Sequence, residues 1–398
     1  MEKRIVKVST EVGFSTEHEM KPHSQAKVAL YESYLEKYLA IISAAKFFTK
    51  INIFDVFCGA GVYKNGKVGS PVVAHQAILK TKQFLLTNLK KDILPVSLSV
   101  NDGNPDSIEQ VKEVLTQMNT KDPCCELSFF NLEAEAMFEI ILKKLPLQDN
   151  GVRNLILIDP TGYKEIYRGD IYNLLQYRNS EIILFLPISF MYRFKDAVQK
   201  DYENPSYVHL RRFINEFFPE DHPVRKNLSM DVFQFMDYLT EQLTFDNVFF
   251  TSSFFLESEA HNYYALFFIT PSILGLERII DTKWKIDSKT GSGFRFNTTS
   301  CQMTLLPDFM YDQKIQTLQK SLLKYISDNP ECNNIDLYKF TLNLGFRPPH
   351  TVEILKKLQK EDKLEVWDVN KAKVSKNAFY LNYECFKAKT IKVTYKLL

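Results

Sequence analysis

The fold follows from one stretch of the chain, Ile51-Asn-Ile-Phe-Asp-Val-Phe-Cys-Gly-Ala-Gly-Val-Tyr63. Residues 51–57 are almost entirely apolar, which predicts a central parallel strand that is buried on both faces. Asp55 interrupts the run, and a carboxylate inside a buried strand is costly unless something pairs with it. Gly59 and Gly61 then predict a tight turn that leaves room for a ligand against the backbone. This arrangement is typical of a nucleotide-type cofactor site at the carboxyl end of a strand.

The spacing of this motif indicates one kind of cofactor. Asp-x-Phe-x-Gly-x-Gly, at Asp55, Phe57, Gly59 and Gly61, resembles the first motif of class I S-adenosylmethionine-dependent methyltransferases. The dinucleotide fingerprint does not fit, because no third glycine opens a helix at the right offset, and a P-loop does not fit, because no Gly-Lys-Ser/Thr follows. A glycine-rich turn capped by Asp55 is the alternative interpretation. On the first interpretation these four residues and Tyr63 bind S-adenosylmethionine.

Two further predicted strands also end in polar residues. The strand at 96–100 ends at Asp102, and we predict that this carboxylate accepts hydrogen bonds from both hydroxyls of a ribose. A plain turn at Asp102 is the alternative. The third strand, at about 127–131, ends at Asn131, and Glu133 follows it. Such folds contact the adenine there, although Glu133 is also suited to begin the next helix.

A second strand-and-acid motif is Asn154-Leu-Ile-Leu-Ile-Asp-Pro-Thr-Gly-Tyr163. Its end resembles the Asp-Pro-Pro-Tyr motif of amino-methyltransferases. The resemblance implies that Asp159 and the Pro160 carbonyl accept hydrogens from the target nitrogen, while Tyr163 stacks on the base. Such chemistry requires positioning more than a strong base. The match is imperfect, because Thr161 replaces the second proline and the tyrosine comes one residue late. A turn with a capping aspartate is the alternative.

The first helix has cations at its start. We predict that it begins at His23, with Ser24 as its N-cap, and runs to about residue 47. Lys21, His23 and Lys27 crowd the positive end of the helix dipole, which is unfavourable. Because such an arrangement can mark an anion site, we predict that His23 and Lys27 bind a substrate phosphate. Simple solvation of all three side chains is the alternative.

The remaining strands complete the predicted α/β fold class. A fifth strand is predicted at 182–187, and two long β-type runs at 248–256 and 262–270 predict a hairpin. Parallel strands followed by a terminal antiparallel hairpin form a Rossmann-like class I methyltransferase sheet. We predict that this domain spans residues 1–290.

The last part of the chain, residues 310–398, predicts a small winged helix-turn-helix domain. The pattern contains three helices and then two strands, at about 312–328, 334–345, 349–360, 364–368 and 378–381. Many domains of this kind bind DNA, and many bind only protein.

Charge favours DNA for this domain. Residues 310–398 hold 16 basic and 10 acidic residues, a net +6, whereas residues 1–309 carry −4. Lys356, Lys357 and Lys360 lie on the third helix, and Lys371, Lys373 and Lys376 lie in the wing. These six cations would meet phosphates in a DNA complex. An ordinary solvated lysine-rich surface is the alternative.

Composition limits the class of protein. With 45% hydrophobic and 25% charged residues the chain is typical of soluble globular proteins, and no stretch of about 18 apolar residues predicts a membrane span. We therefore expect a cytoplasmic protein. The six cysteines are scattered without a CxxC pair, which predicts free thiols and no metal-ligand set; they are Cys58, Cys124, Cys125, Cys301, Cys332 and Cys385.

Four segments of the chain together resemble the three-Cys-motif partner protein family, TcmP. They are His23-Ser-Gln-Ala-Lys27, Asp55-Val-Phe-Cys-Gly-Ala-Gly-Val-Tyr63, Gly69-Ser-Pro71 and Ile158-Asp-Pro160. The resemblance covers about residues 20–290, and many members carry a winged-helix tail. It implies a methyltransferase-like Rossmann fold and a bacterial cytoplasmic setting. It also implies a genomic neighbour, a predicted radical-SAM-type protein whose cysteines gave the family its name. It brings no firmly known substrate.

Three functions are open at this point. The leading hypothesis is an S-adenosylmethionine-dependent methyltransferase that acts on nucleic acid, most simply DNA. The second is a binding module that has lost its chemistry and recruits the radical-SAM-type partner to DNA. The third is phosphodiester cleavage, which no cluster of metal-binding carboxylates supports.

Overall fold

The centre of the molecule is an eight-stranded sheet. The structure, a computed structural model, describes residues 19–201, 203–226, 229–258, 260–294, 307–370, 372–374 and 378–398. The strands of the sheet are β1 (Lys50–Asp55), β2 (Val96–Asn101), β3 (Glu126–Phe130), β4 (Val152–Ile158), β5 (Ser180–Leu186), β6 (Phe250–Glu257), β7 (Tyr263–Thr270) and β8 (Gly293–Phe294).

The strand order confirms the predicted fold class. The strands lie in the order β3-β2-β1-β4-β5-β7-β6-β8. Strands β1 to β5 are parallel, and β7 is antiparallel to both β5 and β6. Five parallel strands with a terminal hairpin are the layout of class I methyltransferases. The chain reverses direction across the sheet between β1 and β4, and ligands of open α/β sheets bind at such a switch point. The short edge strand β8, parallel to β6, was not predicted.

Helices cover both faces of the sheet. They are α1 (Pro22–Ala44), α2 (Ser70–Leu89), α3 (Pro105–Lys121), α4 (Ala134–Lys144), α5 (Arg168–Leu175), α6 (Ile188–Lys200), α7 (Val208–Phe217), α8 (Val232–Gln242) and α9 (Ile273–Ile286). One apolar cluster joins one face of the sheet to α1, α2, α3 and α9, and a second joins the other face to α4–α8. Burial on both sides explains why the central strands are continuous apolar runs.

Helix α1 begins earlier than predicted. Its first residue is Pro22, and Lys21 rather than Ser24 occupies the N-cap position. Proline suits the first turn because its fixed φ is helical and its missing N–H has no partner there. The serine therefore lies within the first turn, and His23 is buried.

The tail forms a helical bundle with a two-stranded ribbon. Its elements are α10 (Pro307–Asp328), α11 (Asn334–Asn343), α12 (Pro348–Lys360), β9 (Leu364–Asp368), α13 (Tyr383–Lys387) and β10 (Val393–Leu397). The predicted second strand at 378–381 is wrong, because β9 pairs antiparallel with β10. Phe379 and Leu381 alternate like a buried strand, but they fill the tail core. The Phe379 carbonyl accepts a hydrogen bond from the Tyr395 hydroxyl instead of from a neighbouring strand.

The tail packs on helix α9 of the large domain. Trp284 Nε1 donates a 2.9 Å hydrogen bond to the Gly345 carbonyl, and its ring centroid lies 4.3 Å from that of His350. Arg347 Nε lies 3.1 Å from Asp281 Oδ1. These contacts hold the turn before α12 and the first turn of α12 against α9. The domain boundary between residues 290 and 310 stays a prediction, although β8 extends the large sheet to residue 294.

Over the ranges that the structure describes, no helix combines the length and the apolar character needed to cross a membrane.

Candidate functional site

A cleft opens at the carboxyl ends of the central strands. Its volume is about 670 Å³, and its walls come from α1, from β5 and β7, and from the segments after β1 to β4. Nine of the residues predicted to act in catalysis, cofactor binding or substrate binding line it: Lys27, Phe57, Gly59, Gly61, Tyr63, Asp102, Glu133, Asp159 and Pro160. The two strand-and-acid motifs therefore meet in one cleft, although they are about a hundred residues apart in the sequence.

The glycine turn after β1 has the backbone that its residues predict. Gly59 and Gly61 have φ values of +59° and +78°, where side chains are strained. A Cβ atom on Gly61 would lie 2.9 Å from Val111 Cγ2, whereas one on Gly59 would meet no atom within 4 Å. The first glycine thus keeps the cleft open, and the second allows the turn to pack on α3.

Asp102 secures this turn from the next strand. Its Oδ2 accepts a 2.9 Å hydrogen bond from the Gly59 N–H, and its Oδ1 accepts one of 2.9 Å from the Asn104 N–H. The carboxylate is partly exposed to the cleft. Its position is consistent with the predicted contact to a ribose, and it also orders the loop.

Asn131 and Glu133 differ in their relation to the cleft. The exposed Asn131 side chain donates a 2.8 Å hydrogen bond to the Asp102 carbonyl and does not line the cleft. Glu133 is the exposed N-cap residue of α4 and does line it. Asn101, which the sequence did not identify, donates to the carbonyls of Val56 and Leu132 and fastens the ends of β1 and β3 together.

Asp55 is fully buried at the end of β1. Among the described residues, neither carboxylate oxygen has a hydrogen-bond partner of good geometry. Burial raises the pKa of Asp55 to about 7; the nearby Ser70 hydroxyl opposes this rise and the Asp159 carboxylate adds to it. Within the described ranges the buried Tyr31 hydroxyl also has no hydrogen-bond partner, and burial together with the Asp55 carboxylate raises its pKa. Unsatisfied buried polar groups are rare and call for a specific explanation.

Asp159 is paired with Lys27 across the cleft. Lys27 Nζ lies 2.5 Å from Asp159 Oδ2, and both side chains are mostly buried. The same ammonium lies 4.3 Å from the centroid of the Phe185 ring. The positive charge of Lys27 is therefore already compensated within the protein, and the lysine is not the free cation that the phosphate prediction required.

Three aromatic rings form a continuous stack, which we call the ring column: His23, Tyr264 and Phe185. The first two ring centroids are 4.9 Å apart, and the last two are 5.3 Å apart. Burial lowers the pKa of His23, and Lys27 and Lys21 lower it further. The histidine is consequently a poor cation for a phosphate. Tyr264 and Phe185 line the cleft, and sequence reasoning missed both because only the pairing of β5 with β7 brings them together.

Tyr163 does not face the cleft. Its ring is buried between α6 and α7, with centroids 5.8 Å from Phe190 and 6.0 Å from Phe213. The predicted stacking of Tyr163 on a base is not supported by this position. The extra residue between the proline and the tyrosine explains the difference, because it directs the ring into the aromatic core.

The candidate DNA-binding lysines lie on the tail, away from the cleft lining. Lys356, Lys357 and Lys360 are exposed on the second half of α12. In the wing, Lys373 pairs with Glu365 at 3.0 Å. The other two wing positions, 371 and 376, lie outside the described residues. The first turn of α12, which reads bases in many helix-turn-helix proteins, faces α9 instead.

Comparison with known proteins identifies the tail. Residues 293–369 match a family model described as the GMT-like wHTH domain. The match begins at β8 and ends just after β9, so it includes α10, α11 and α12. No curated protein matches the chain.

Solved structures resemble the large domain only distantly. Magnesium protoporphyrin IX methyltransferase (ChlM) from Synechocystis PCC 6803, with bound SAH, is 8% identical over 65% of this chain and 90% of its own, with a TM-score of 0.31. The O-methyltransferase TomG from Streptomyces achromogenes, in complex with SAM, is 13% identical over 64% and 91%, with a TM-score of 0.32. Spermidine synthase from Thermotoga maritima is 11% identical over 65% and 62%, with a TM-score of 0.30. The strand order, rather than these likenesses, carries the fold assignment.

Proposed function

We propose that this chain is an S-adenosylmethionine-dependent methyltransferase of the TcmP family that acts on nucleic acid. One observation carries the proposal. At the switch point of a class I methyltransferase sheet, the buried carboxylate of Asp55, which has no hydrogen-bond partner of good geometry among the described residues, lies beside the Gly59–Gly61 turn and is followed by Asp102 after the next strand.

The residues present fit this cofactor. Asp55 is fully buried and is not among the residues that line the cleft. An ammonium would reach its carboxylate only after a small rearrangement of the glycine turn, and it would then offset the cost of burying that charge. Asp102 is placed to accept hydrogen bonds from ribose hydroxyls, and Glu133 lies at the edge expected for adenine. The space beside Gly59 is open, since a Cβ atom there would meet no atom within 4 Å, and this space leaves room for the cofactor. When bound, S-adenosylmethionine supplies a methyl group on a positively charged sulfur.

The other side of the cleft would position the substrate. The Asp159 carboxylate and the Pro160 carbonyl are hydrogen-bond acceptors for an amino group, and accepting its hydrogens turns the nitrogen lone pair toward the transferred methyl group. Lys27 orients Asp159 through the ion pair. The ring column supplies a rigid apolar wall beside these acceptors and replaces Tyr163 as the aromatic surface of the site.

Cofactor binding and methyl transfer are tested with two variants. Calorimetric titration should show that wild-type protein binds S-adenosylmethionine and that Asp55→Ala does not. Asp159→Ala should bind the cofactor within about threefold of wild type, because its side chain faces the substrate side. The same variant should lose transfer of a radiolabelled methyl group to nucleic acid. Failure of the folded wild-type protein to bind the cofactor would refute the proposal, and unchanged transfer by Asp159→Ala would refute the assigned role.

A second candidate function is a methyltransferase-shaped binding module that recruits the radical-SAM-type three-Cys-motif protein. The Lys27–Asp159 pair favours it, because the carboxylate meant for the target nitrogen is already engaged. Co-purification of the two proteins from co-expressing cells, together with no methyl transfer to DNA, RNA or the partner, would support this module. Transfer that depends on Asp159 would exclude it.

The exposed lysines of α12 support contact with nucleic-acid phosphates rather than base recognition. Each phosphate contact contributes about 0.9 to the slope of log affinity against log salt concentration. The triple variant Lys356→Ala, Lys357→Ala and Lys360→Ala should therefore reduce this slope by up to about 2.7. Replacing the exposed Lys112 and Lys121 of α3 by alanine is the control and should leave it unchanged. An unaltered slope in the triple variant would show that α12 does not contact nucleic acid.

A further inference from the structure

A cluster of metal-ligand side chains lies outside the cleft. His75, on α2, meets Cys124 and Cys125, which precede β3. The Cys124 Sγ lies 3.4 Å from His75 Nε2 and 4.0 Å from Cys125 Sγ. All three ligand atoms lie within 4.8 Å of one another. The histidine is buried, and both cysteines are partly exposed.

Two of the three separations match the ligand shell of a single metal ion, and the third, between His75 and Cys125, is no more than 4.8 Å. Zinc–sulfur bonds of about 2.3 Å and zinc–nitrogen bonds of about 2.05 Å at tetrahedral angles place two sulfurs about 3.8 Å apart, and a sulfur and a nitrogen about 3.6 Å apart. The observed separations of 4.0 Å and 3.4 Å differ from these values by only a few tenths of an ångström. Zinc could therefore be accommodated with small side-chain adjustments.

Asn119 holds the two cysteines in this arrangement. Its Oδ1 accepts a 3.1 Å hydrogen bond from the Cys124 N–H, and its Nδ2 donates one of 3.0 Å to the Cys125 carbonyl. The same Oδ1 lies 3.3 Å from His75 Nε2 and 3.9 Å from Cys125 Sγ, so it adjoins two of the three ligand atoms. This amide oxygen or a water molecule would complete the tetrahedron.

We propose that His75, Cys124 and Cys125 bind one Zn²⁺ ion that fastens α2 to the segment between α3 and β3. Thiolate and imidazole ligands favour zinc over magnesium or calcium, which prefer oxygen. Among the described residues, His75 Nδ1 has no hydrogen-bond acceptor. Most metal-bound histidines have one, and its absence predicts weaker binding than at a full four-ligand zinc site.

The proposed site differs from the expectation that the chain has no metal-ligand set. The cysteine pair has no second pair nearby in the sequence, and the histidine precedes it by 49 residues. Only the packing of α2 against α3 and β3 brings the three residues together. The site is independent of the proposed methyltransferase function, because none of its members lines the cleft.

The test uses the full-length protein treated with a chelator and then titrated with Co²⁺, a spectroscopic substitute for zinc. Wild-type protein should take up a single equivalent, with the d–d bands of tetrahedral cobalt and a thiolate-to-cobalt charge-transfer band. Cys124→Ser and Cys125→Ser should each lose charge-transfer intensity or fail to bind one equivalent of cobalt tightly. Cys385→Ser, which removes a partly exposed cysteine of the tail, is the matched control and should behave like wild type.

A second measurement distinguishes loss of the metal site from misfolding of the variants. Zn²⁺ should raise the melting temperature of the wild-type and Cys385→Ser proteins, and a chelator should reverse the rise. Zn²⁺ should leave the melting temperature of the two site variants unchanged, while their circular dichroism spectra match that of wild type. A folded wild-type protein without tetrahedral cobalt bands would overturn the proposal. Equal metal uptake by the folded Cys124→Ser and Cys125→Ser variants would also overturn it.

Discussion

Replacing Asp55 by asparagine should stabilise the cofactor-free protein at about pH 7 and above, and it should weaken cofactor binding. Burial raises the pKa of this carboxyl from 3.8 to about 7. The folded state therefore binds more protons than the unfolded state between these values, and the stability of the wild-type protein falls as the pH rises through this window. Asparagine has a similar shape and does not ionise, so the variant escapes this loss.

The magnitude follows from the pKa difference. Each pKa unit corresponds to about 1.36 kcal/mol, so the raised pKa of Asp55 costs the folded state about 4 kcal/mol at pH 8, of which about 2 kcal/mol is already present at pH 5. The buried asparagine amide also lacks partners, which costs about 1–3 kcal/mol at every pH. The difference in unfolding free energy between Asp55→Asn and wild type should thus shift in favour of the variant by roughly 2–3 kcal/mol from pH 5 to pH 8.

Urea denaturation of both proteins at several pH values measures this shift. Asp122→Asn, at an exposed position, is the control and should show a difference that does not depend on pH in this range. Calorimetry should show that Asp55→Asn binds S-adenosylmethionine roughly 10- to 150-fold more weakly, because a charged hydrogen bond contributes about 1.5–3 kcal/mol. A stability difference independent of pH would refute the argument that Asp55 is a buried, unsatisfied carboxylate.

Two further predictions concern the junction between the domains. The buried Lys283 ammonium donates a hydrogen bond to Ser252, and burial lowers the pKa of Lys283 to about 7, so the stability of the folded protein should fall as the pH drops from about 10 to 7. Urea denaturation at pH 7 should therefore show that Lys283→Met is more stable than wild type by roughly 2–4 kcal/mol. No gain relative to the exposed control Lys285→Met would contradict this prediction. Trp284→Ala removes a buried ring that joins α9 to the tail, which should lower the free energy of unfolding by about 3–5 kcal/mol. The variant should unfold in two transitions where the wild-type protein unfolds in one. A single transition with an unchanged midpoint would show that the contact does not couple the two domains.

The sequence predicted the sheet well because its strands are long apolar runs that end in acids. Burial on both faces leaves few other structures for residues 51–57 or 154–158, and the glycines after Phe57 required positive φ. The ribbon of the tail was harder, because residues 378–381 alternate like a strand but serve as core. Local pattern does not reveal which segment supplies the partner strand.

The cleft was predicted only in part, for a related reason. Residues at strand ends, such as Asp102 and Asp159, are brought together by any parallel sheet, and they do line one cleft. The partners of those residues are not local. The Lys27–Asp159 pair spans 132 positions, and the ring column joins α1, β5 and β7. A single extra residue was enough to move Tyr163 from the expected wall of the cleft into the core.

The first turn of α12 contacts α9, so this turn cannot keep that contact and bind a ligand at the same time. A ligand that grips this turn must first separate it from Trp284 and Asp281, so its apparent affinity equals its intrinsic affinity multiplied by the fraction of molecules in which the turn is free. A self-contact worth about 2 kcal/mol would weaken apparent binding by roughly thirtyfold. By thermodynamic reciprocity, binding of such a ligand would weaken the contact between the tail and the large domain, and it would change the surroundings of α9.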